Sequence, residues 1–310
     1  MKRISCTGIV VIDALSGPLE HYPVPTICPQ VVTTQIRFAP GGGACNTSSA
    51  LAQMGLPVRI FSKVGDDLNG HFARQVMTNC GVDTRYLRLA PGEQTPFTFV
   101  GIHPDGERTF IHTPGTNLTF NVDDLDVSSL LDCEILFYQD CWVLPQLDGA
   151  PAAELLASAQ QRGILTAIDA TWGLGPRRDV LELMLPHCDY LLLSFADLMQ
   201  LYPKMSITQL ATHLLNLGAK TVILKLGADG AFVAWHGGKE QIPGVPAKVV
   251  DTTGAGDCWD AGFLAAIAHG ESLCAAVRTG HACAAFGIES IGGATGIPDY
   301  ASVTARVRNG

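Results

Sequence analysis

Asp251-Thr252-Thr253-Gly254-Ala255-Gly256-Asp257 runs straight into Cys258-Trp259-Asp260-Ala261-Gly262-Phe263-Leu264-Ala265-Ala266, a glycine-rich turn feeding an apolar helical run. Glycines let the backbone turn tightly with its N–H groups converging, and the positive end of the helix dipole reinforces them, so this junction is a ready anion hole. A carboxylate at such a place needs a reason. Asp257 fits two readings: an N-terminal cap of the helix, or a base that takes the proton from an attacking hydroxyl while the loop holds a transferring phosphoryl group.

Working outward, from about residue 43 short apolar runs alternate with amphipathic segments, the pattern of repeated βα units around a parallel sheet. Strands are expected over 4–12, 58–63, 134–139, 164–170, 190–193 and Thr221–Lys225, and helices over 44–54, 68–80, 151–162 and 207–217. Gly81, Gly163 and Gly218 each stand just past a helical pattern, as left-handed C-caps do. A last helical block spans 256–286 with a break at Gly270, and 301–307 closes the chain. This predicts an α/β fold, a three-layer α/β/α sandwich around a mostly parallel sheet.

Two β-rich stretches break the rhythm: 31–39, and 96–113, in which Pro104-Asp105-Gly106-Glu107 reads as a hairpin turn. They predict a small projecting sheet that serves as a lid or a dimer surface, with ordinary edge hairpins as the plainer alternative. No linker marks a second unit. The expectation is one domain over 1–310, its lid drawn from about 14–40 and 95–118.

Composition bounds the function. With 310 residues, 47% hydrophobic and 16% charged, the chain has ample material for a core, which excludes disorder. Its 33 glycines and 18 prolines show no fixed period, which excludes collagen-like and solenoid arrays. A net charge of -9 provides no field to gather nucleic acid or an anionic membrane, so any phosphate must be held locally. The ten cysteines form no C-x-x-C pair and no Cys/His metal cluster, the usage of reduced cytoplasmic thiols. Met1-Lys2-Arg3 before the apolar run imitates a signal peptide, but Asp13 and the lack of an A-x-A site favour a buried strand. No apolar run is long enough to span a membrane.

Other nucleotide motifs fail. Gly218-Ala219-Lys220-Thr221 lacks the second glycine of a P-loop, and Gly254-Ala255-Gly256 and Gly41-Gly42-Gly43 meet Trp259 and Asn46 where a dinucleotide fingerprint needs glycine. Pro40-Gly41-Gly42-Gly43-Ala44-Cys45-Asn46 opens a helix with room for close ligand approach. Asn46 there suits a polyol hydroxyl or serves as a local cap. Asp13 is expected at the carboxyl end of the first strand, where open α/β sheets place ligand groups.

Gly41-Gly42-Gly43-Ala44-Cys45-Asn46, followed by Gly65-Asp66-Asp67 and Gly70, and then Asp251–Asp257 with Asp260, Gly262 and Phe263 in step, resemble the two motifs of the PfkB carbohydrate kinases, also called ribokinase-like kinases. The resemblance covers essentially the whole chain. It implies transfer of the ATP γ-phosphoryl group to a sugar hydroxyl, with Asp257 as base and the backbone of Gly254, Ala255 and Gly256 as anion hole. By the same resemblance Asp13, Gly42, Gly43, Asn46 and Asn117 bind the sugar. Ser194, Lys225, Gly227, Gly230, Gly254, Gly256 and His281 lie on the nucleotide side.

The family commonly carries Asn-x-x-Glu for magnesium. Here Ser194-Phe195-Ala196-Asp197 stands in its place, so Asp197 would reach the ion through water. Asp251 and Thr253, with the 288–297 segment, are compatible with the potassium site of many members. Arg108, beside Glu107 on the lid hairpin, fits an acidic substrate group or a solvated charge. Gln139, Asp140 and Trp142 are expected to line the sugar pocket, although Trp142 and Trp172 equally suit the core or a stacked base. A homodimer is expected through the lid, with Phe97 and Phe99 exposed for it. Two further readings share the motifs: a nucleoside kinase on the same scaffold, and an inactive sugar-binding regulator, against which the retained Asp257 argues.

Overall fold

Parallel strands buried on both faces read as unbroken apolar runs, and these runs build the centre of the molecule. The computed structural model describes residues 2–19, 32–103, 108–171, 175 and 177–309, except the side chains of Pro18, Arg108 and Asn309. Strands β1 (Ile4–Thr7), β2 (Val11–Pro18), β3 (Ile36–Gly41), β4 (Val58–Gly65), β5 (Leu87–Ala90), β6 (Phe97–Ile102), β7 (Arg108–Thr113), β8 (Ile135–Cys141), β9 (Leu165–Ala170), β10 (Tyr190–Ser194), β11 (Thr221–Lys225), β12 (Ala231–Trp235) and β13 (Gly238–Ile242) form two sheets. The large one runs β13-β12-β11-β10-β9-β8-β1-β4-β5 and the small one β3-β2-β6-β7. From β11 to β5 neighbouring strands are parallel, and β12 and β13 add an antiparallel edge.

The helices are α1 (Gly43–Gln53), α2 (Leu68–Asn79), α3 (Val127–Leu130), α4 (Ala150–Gln161), α5 (Arg178–Met184), α6 (Phe195–Leu201), α7 (Ile207–Asn216), α8 (Ala255–His269), α9 (Leu273–Ile288) and α10 (Tyr300–Asn309). Side chains alternate across the sheet between two cores. Ile135 and Phe137 face the core shared with α1, α8 and α9, whereas Leu136 and Tyr138 face the core shared with α4 and α7. These two helical layers on one sheet are the expected three-layer sandwich.

The first apolar run behaves differently from expectation. It is two strands in two sheets, because the chain leaves the large sheet after Thr7. The Asp140 carboxylate catches it there: Ile9 N donates to Oδ2 at 2.8 Å, and a Cβ on Gly8 would fall 2.5 Å from the same oxygen. Both sheets bury their part of the run, so hydropathy carries no mark of the break. Asp13 consequently lies inside β2 of the small sheet, not at the end of the first strand. The edge strands β5 and β13, the strand β12 beside β13, and the short helices α5 and α6 were also not expected. Their periodic patterns are too brief or too polar, as in Lys239-Glu240-Gln241 of β13.

In the small sheet β2 pairs in parallel with β6, antiparallel with β3, and β6 with β7 forms a hairpin. Phe97 and Phe99 are half-buried, a correction to the expected exposure. Ile36, Phe38, Phe110 and Ile111 are the sheet's exposed large apolar positions among the described residues, at 52%, 55%, 61% and 56%. Lid residues 20–31, the turn 104–107 with Glu107, and Trp172 lie outside the described residues. No described helix is long and apolar enough to cross a membrane.

Candidate active site

Gly254, at φ 70°, is the residue before α8, and no side chain caps that end. A Cβ on Gly254 would fall 2.9 Å from Gly293 Cα, so only glycine fits both the conformation and the contact. The Ala255 N–H turns back onto Thr252 O at 3.2 Å, a difference from the expected three-residue anion hole. Gly256 and Asp257 supply the first-turn N–H groups that helix geometry leaves without an intrahelical partner.

Asp257 is not the helix cap. Its Oδ2 accepts from Asn46 Nδ2 at 2.8 Å and its Oδ1 from Gln139 Nε2 at 2.9 Å. The carboxylate is thus clamped by two amides, one from α1 and one from the end of β8. Burial, with the Asp169 charge adding, raises its pKa, and the two amides oppose that rise. Asn46 thus commits one of its two amide N–H donors to Asp257, while its side chain lines the second cavity.

Two cavities meet at this turn. One, of about 720 Å³, is lined by Lys225, Gly227, Gly230, Thr252, Ala255, Gly256, His281 and apolar side chains including Val245, Val249 and Ile288. The other, of about 510 Å³, is lined by Asp13, Gly42, Gly43, Asn46, Asn117, Thr253, Gly254 and Asp257, with strand residues of the small sheet. Residues 252–257 are the wall between them. The site sits at the carboxyl ends of β8, β9 and β11, beside β1, from which the chain crosses to β4 on one side while β8 lies on the other, as open α/β sheets place their ligands.

On the first side Lys225 Nζ lies 3.2 Å from Asp169 Oδ2 and 3.0 and 3.1 Å from the two oxygens of Asp260. Burial pulls the ammonium pKa down, but Asp169 and Asp260 reverse that, and the net shift is upward. Burial and the Asp169 charge push Asp260 well above the usual carboxylate range. Nζ would stand 3.6 Å from a Cβ on Gly256, so a fixed positive charge faces the anion-hole turn. Asp169, Asp257 and Asp260 oxygens come within 4.8 Å of one another, a donor chemistry that fits a hard cation although Lys225 already neutralises part of it. His281 Nδ1 accepts from Trp259 Nε1 at 2.9 Å, which leaves the proton on Nε2. Burial lowers its pKa to about 4 against a smaller pull from the Ile242 carbonyl, and Nε2 makes no hydrogen bond of good geometry.

On the second side burial raises Asp13 to about 6, opposed by the Thr98 hydroxyl that hydrogen-bonds it. A Cβ on Gly41 would fall 2.2 Å from Asp13 Oδ2, so this glycine admits the carboxylate.

Other expected residues lie elsewhere. Asp140 is fully buried and accepts from Ile9, Gly43 and Ala44 N–H, so it seats the glycine loop instead of lining the sugar pocket. Its φ of 64° and that of Trp142, 85°, are strained for residues with side chains. Trp142 is core, its Nε1 donating to Arg177 O at 3.1 Å. Ser194 is the residue before α6 and Asp197 lies in its first turn, and neither is among the residues that line the two cavities described here. Asp251 is buried and accepts from Thr253 N and Gly292 N, which ties the turn to the 288–297 segment. Arg108 lies in β7. Gln139 was expected only to line the pocket, and Asp169, Thr98 and His112 were not singled out. Their partners are far away in sequence, and no local motif marks them.

The sequence profile of the pfkB family carbohydrate kinases matches residues 1–300. Among curated proteins, the Haemophilus influenzae ribokinase is 25% identical over 96% of this chain and 95% of its own. The Escherichia coli fructoselysine 6-kinase is 31% identical over 79% of this chain and 88% of its own. Among solved structures, Arabidopsis thaliana ribokinase, complexed with ribose and ATP, shares the fold with a TM-score of 0.87 at 23% identity over 99% of each chain.

Proposed function

The chain belongs to the pfkB family of carbohydrate kinases, enzymes that move a phosphoryl group from ATP to a sugar, and from that premise we propose how its two cavities divide the work. ATP occupies the cavity of Lys225 and His281, its base among Val245, Val249 and Ile288. The sugar occupies the cavity of Asp13, Asn117 and Asp257. The observation that carries this reading is the shared wall: the N-terminal turn of α8 presents Gly256 to one cavity and Asp257 to the other.

In this arrangement Asp257 takes the proton of the sugar hydroxyl as its oxygen bonds to the γ-phosphorus, and the bond to the bridging oxygen breaks to leave ADP. The N–H groups of Gly256 and Asp257 and the Lys225 ammonium face the charge that spreads over the transferring group. Asn46 and Gln139 hold the base in place. Magnesium bound with ATP would draw charge from the triphosphate, with Asp169 and Asp260, the two carboxylates that also hold Lys225, as candidate donors on the protein. Potassium would bind near Asp251 and Thr253.

The chain acts as one domain over 1–310 in the reducing cytoplasm. Its lid of about 14–40 and 95–118 closes to exclude water. Paired positions of the lid's outer face, Phe38, Ala14, Phe99 and Ile111, carry an apolar row that a second copy covers, giving a homodimer.

Replacing Asp257 by Asn tests the assignment of the base. Turnover measured as ADP release should fall by about a hundredfold to ten-thousandfold, while calorimetry still detects ATP binding. A variant that keeps most of its turnover refutes the role.

A further inference from the structure

Between β13 and the glycine turn the chain runs through 243–250 without helix or strand. Gly244, Val245, Pro246, Ala247 and Val249 of this loop line the larger cavity, which α9 also lines with Ala284 and Ile288. No sheet ladder holds such a wall. Among the described residues two hydrogen bonds fix the backbone of 243–249: Arg306 Nη2 donates to the Pro246 carbonyl at 2.9 Å, and the Lys248 N–H donates to Glu289 Oε1 at 3.1 Å. The two side chains are also locked to each other, Arg306 Nη1 on Glu289 Oε2 and Nη2 on Oε1, both at 2.8 Å. The guanidinium lies 4.7 Å over the Phe286 ring, which fixes its plane further. Glu289 is the residue that ends α9, so a side chain of the last helix straps the loop to α9. α10 has its own seat without Arg306: Val303 is fully buried in the core, and the Tyr300 ring stacks on His269 at 3.9 Å.

We propose that Arg306 is a positioning residue for the nucleotide: with Glu289 it holds the 243–250 loop in the shape that receives the base, so that ATP meets a finished wall. This rests on the reading of that cavity as the ATP site. Arg306 is not among the residues that line the cavity, and it acts through Pro246 and Glu289. A loop with neither ladder nor strap would have to be ordered by the ligand, and every residue so fixed opposes binding by its lost conformational entropy. The place suits an arginine in particular. One nitrogen, Nη2, serves the carbonyl and the carboxylate together while Nη1 completes the fork, a geometry that a lysine ammonium does not reproduce.

The test uses Arg306→Leu, which keeps an apolar stem without a donor, and Arg306→Lys, which keeps the charge without the fork, so the comparison survives a leucine variant that does not fold. From ADP release, the KM for ATP should rise about tenfold in Arg306→Leu and less in Arg306→Lys, while kcat and the KM for the sugar stay near the parent values. Calorimetry with ADP should show the same factor as binding alone, with no sugar present. A KM for ATP within about twofold of the parent in both variants overturns the inference. A loss shared equally by kcat and both KM values overturns it too, because a fold merely loosened has no reason to single out the nucleotide. Ala284→Trp checks the cavity separately: the indole occupies space that α9 lines, and ADP binding should be lost in a protein that melts with the parent. If Ala284→Trp binds ADP as the parent does, the reading of the cavity fails and takes the inference with it. If Ala284→Trp loses ADP and the Arg306 variants do not, the inference alone fails.

Discussion

Replacing Gln139 by leucine removes one of the two amide donors that clamp Asp257 and leaves the Asn46 donor in place. The proposed base works in its ionised form, so activity is present above its pKa and is lost as pH falls through it. Burial already raises that pKa, and the amides restrain the rise. Losing one of them raises it again, and the acid limb of the profile must move toward neutral pH. A hydrogen bond to a charged group contributes about 1.5–3 kcal/mol, and about 1.36 kcal/mol corresponds to a factor of ten. On the acid limb kcat/KM should therefore drop by about tenfold to a hundredfold relative to the parent, while the alkaline plateau changes far less. The assay is kcat/KM for any turned-over sugar between about pH 5 and 9, with nucleotide saturating. A loss of equal size at every pH would show that Gln139 only fills space, and the clamp argument would be wrong.

Lys225→Met leaves Asp169 and Asp260 facing each other without their cation. Breaking a buried pair in this way costs about 3–5 kcal/mol. Spread over the unfolding entropy of 310 residues, about 0.65 kcal/mol/K, it should lower Tm by about 5–8 °C, readable by calorimetry. A shift under about 2 °C would mean that the carboxylates share a proton and need no lysine. For the lid, Phe38→Asp places a charge on the exposed outer row, and light scattering should report a monomer where the parent protein is a dimer. A parent that is itself monomeric at micromolar concentration ends the dimer proposal.

The rhythm of strands and helices was legible because each parallel strand is a short apolar run and three helices end on positive-φ glycines, Gly81, Gly163 and Gly218. The break after Thr7 was not, since the chain is buried on both sides of it. The glycine turn and Asp257 were legible as local motifs. Gln139 was not, because its meaning arises only when the end of β8 meets α8, 118 residues away. Asp169 fell inside the strand expected over 164–170, with nothing local to mark it, and its meaning arises only where Lys225 and Asp260 come together with it. The polar row of the lid needed the register: Thr98 and His112 stand opposite each other only because the hairpin places Phe97 against Thr113.

Since one turn of backbone is a wall of both cavities, the affinities of the two substrates are thermodynamically linked. Whatever factor the sugar multiplies ATP affinity by, ATP must return to the sugar, and a tenfold coupling is about 1.4 kcal/mol in either direction. In the proposed arrangement the turn packed against Gly293 would carry that coupling. A substitution that slackens Gly254 would weaken both ligands and their cooperation together, though neither cavity had lost a single side chain from its lining.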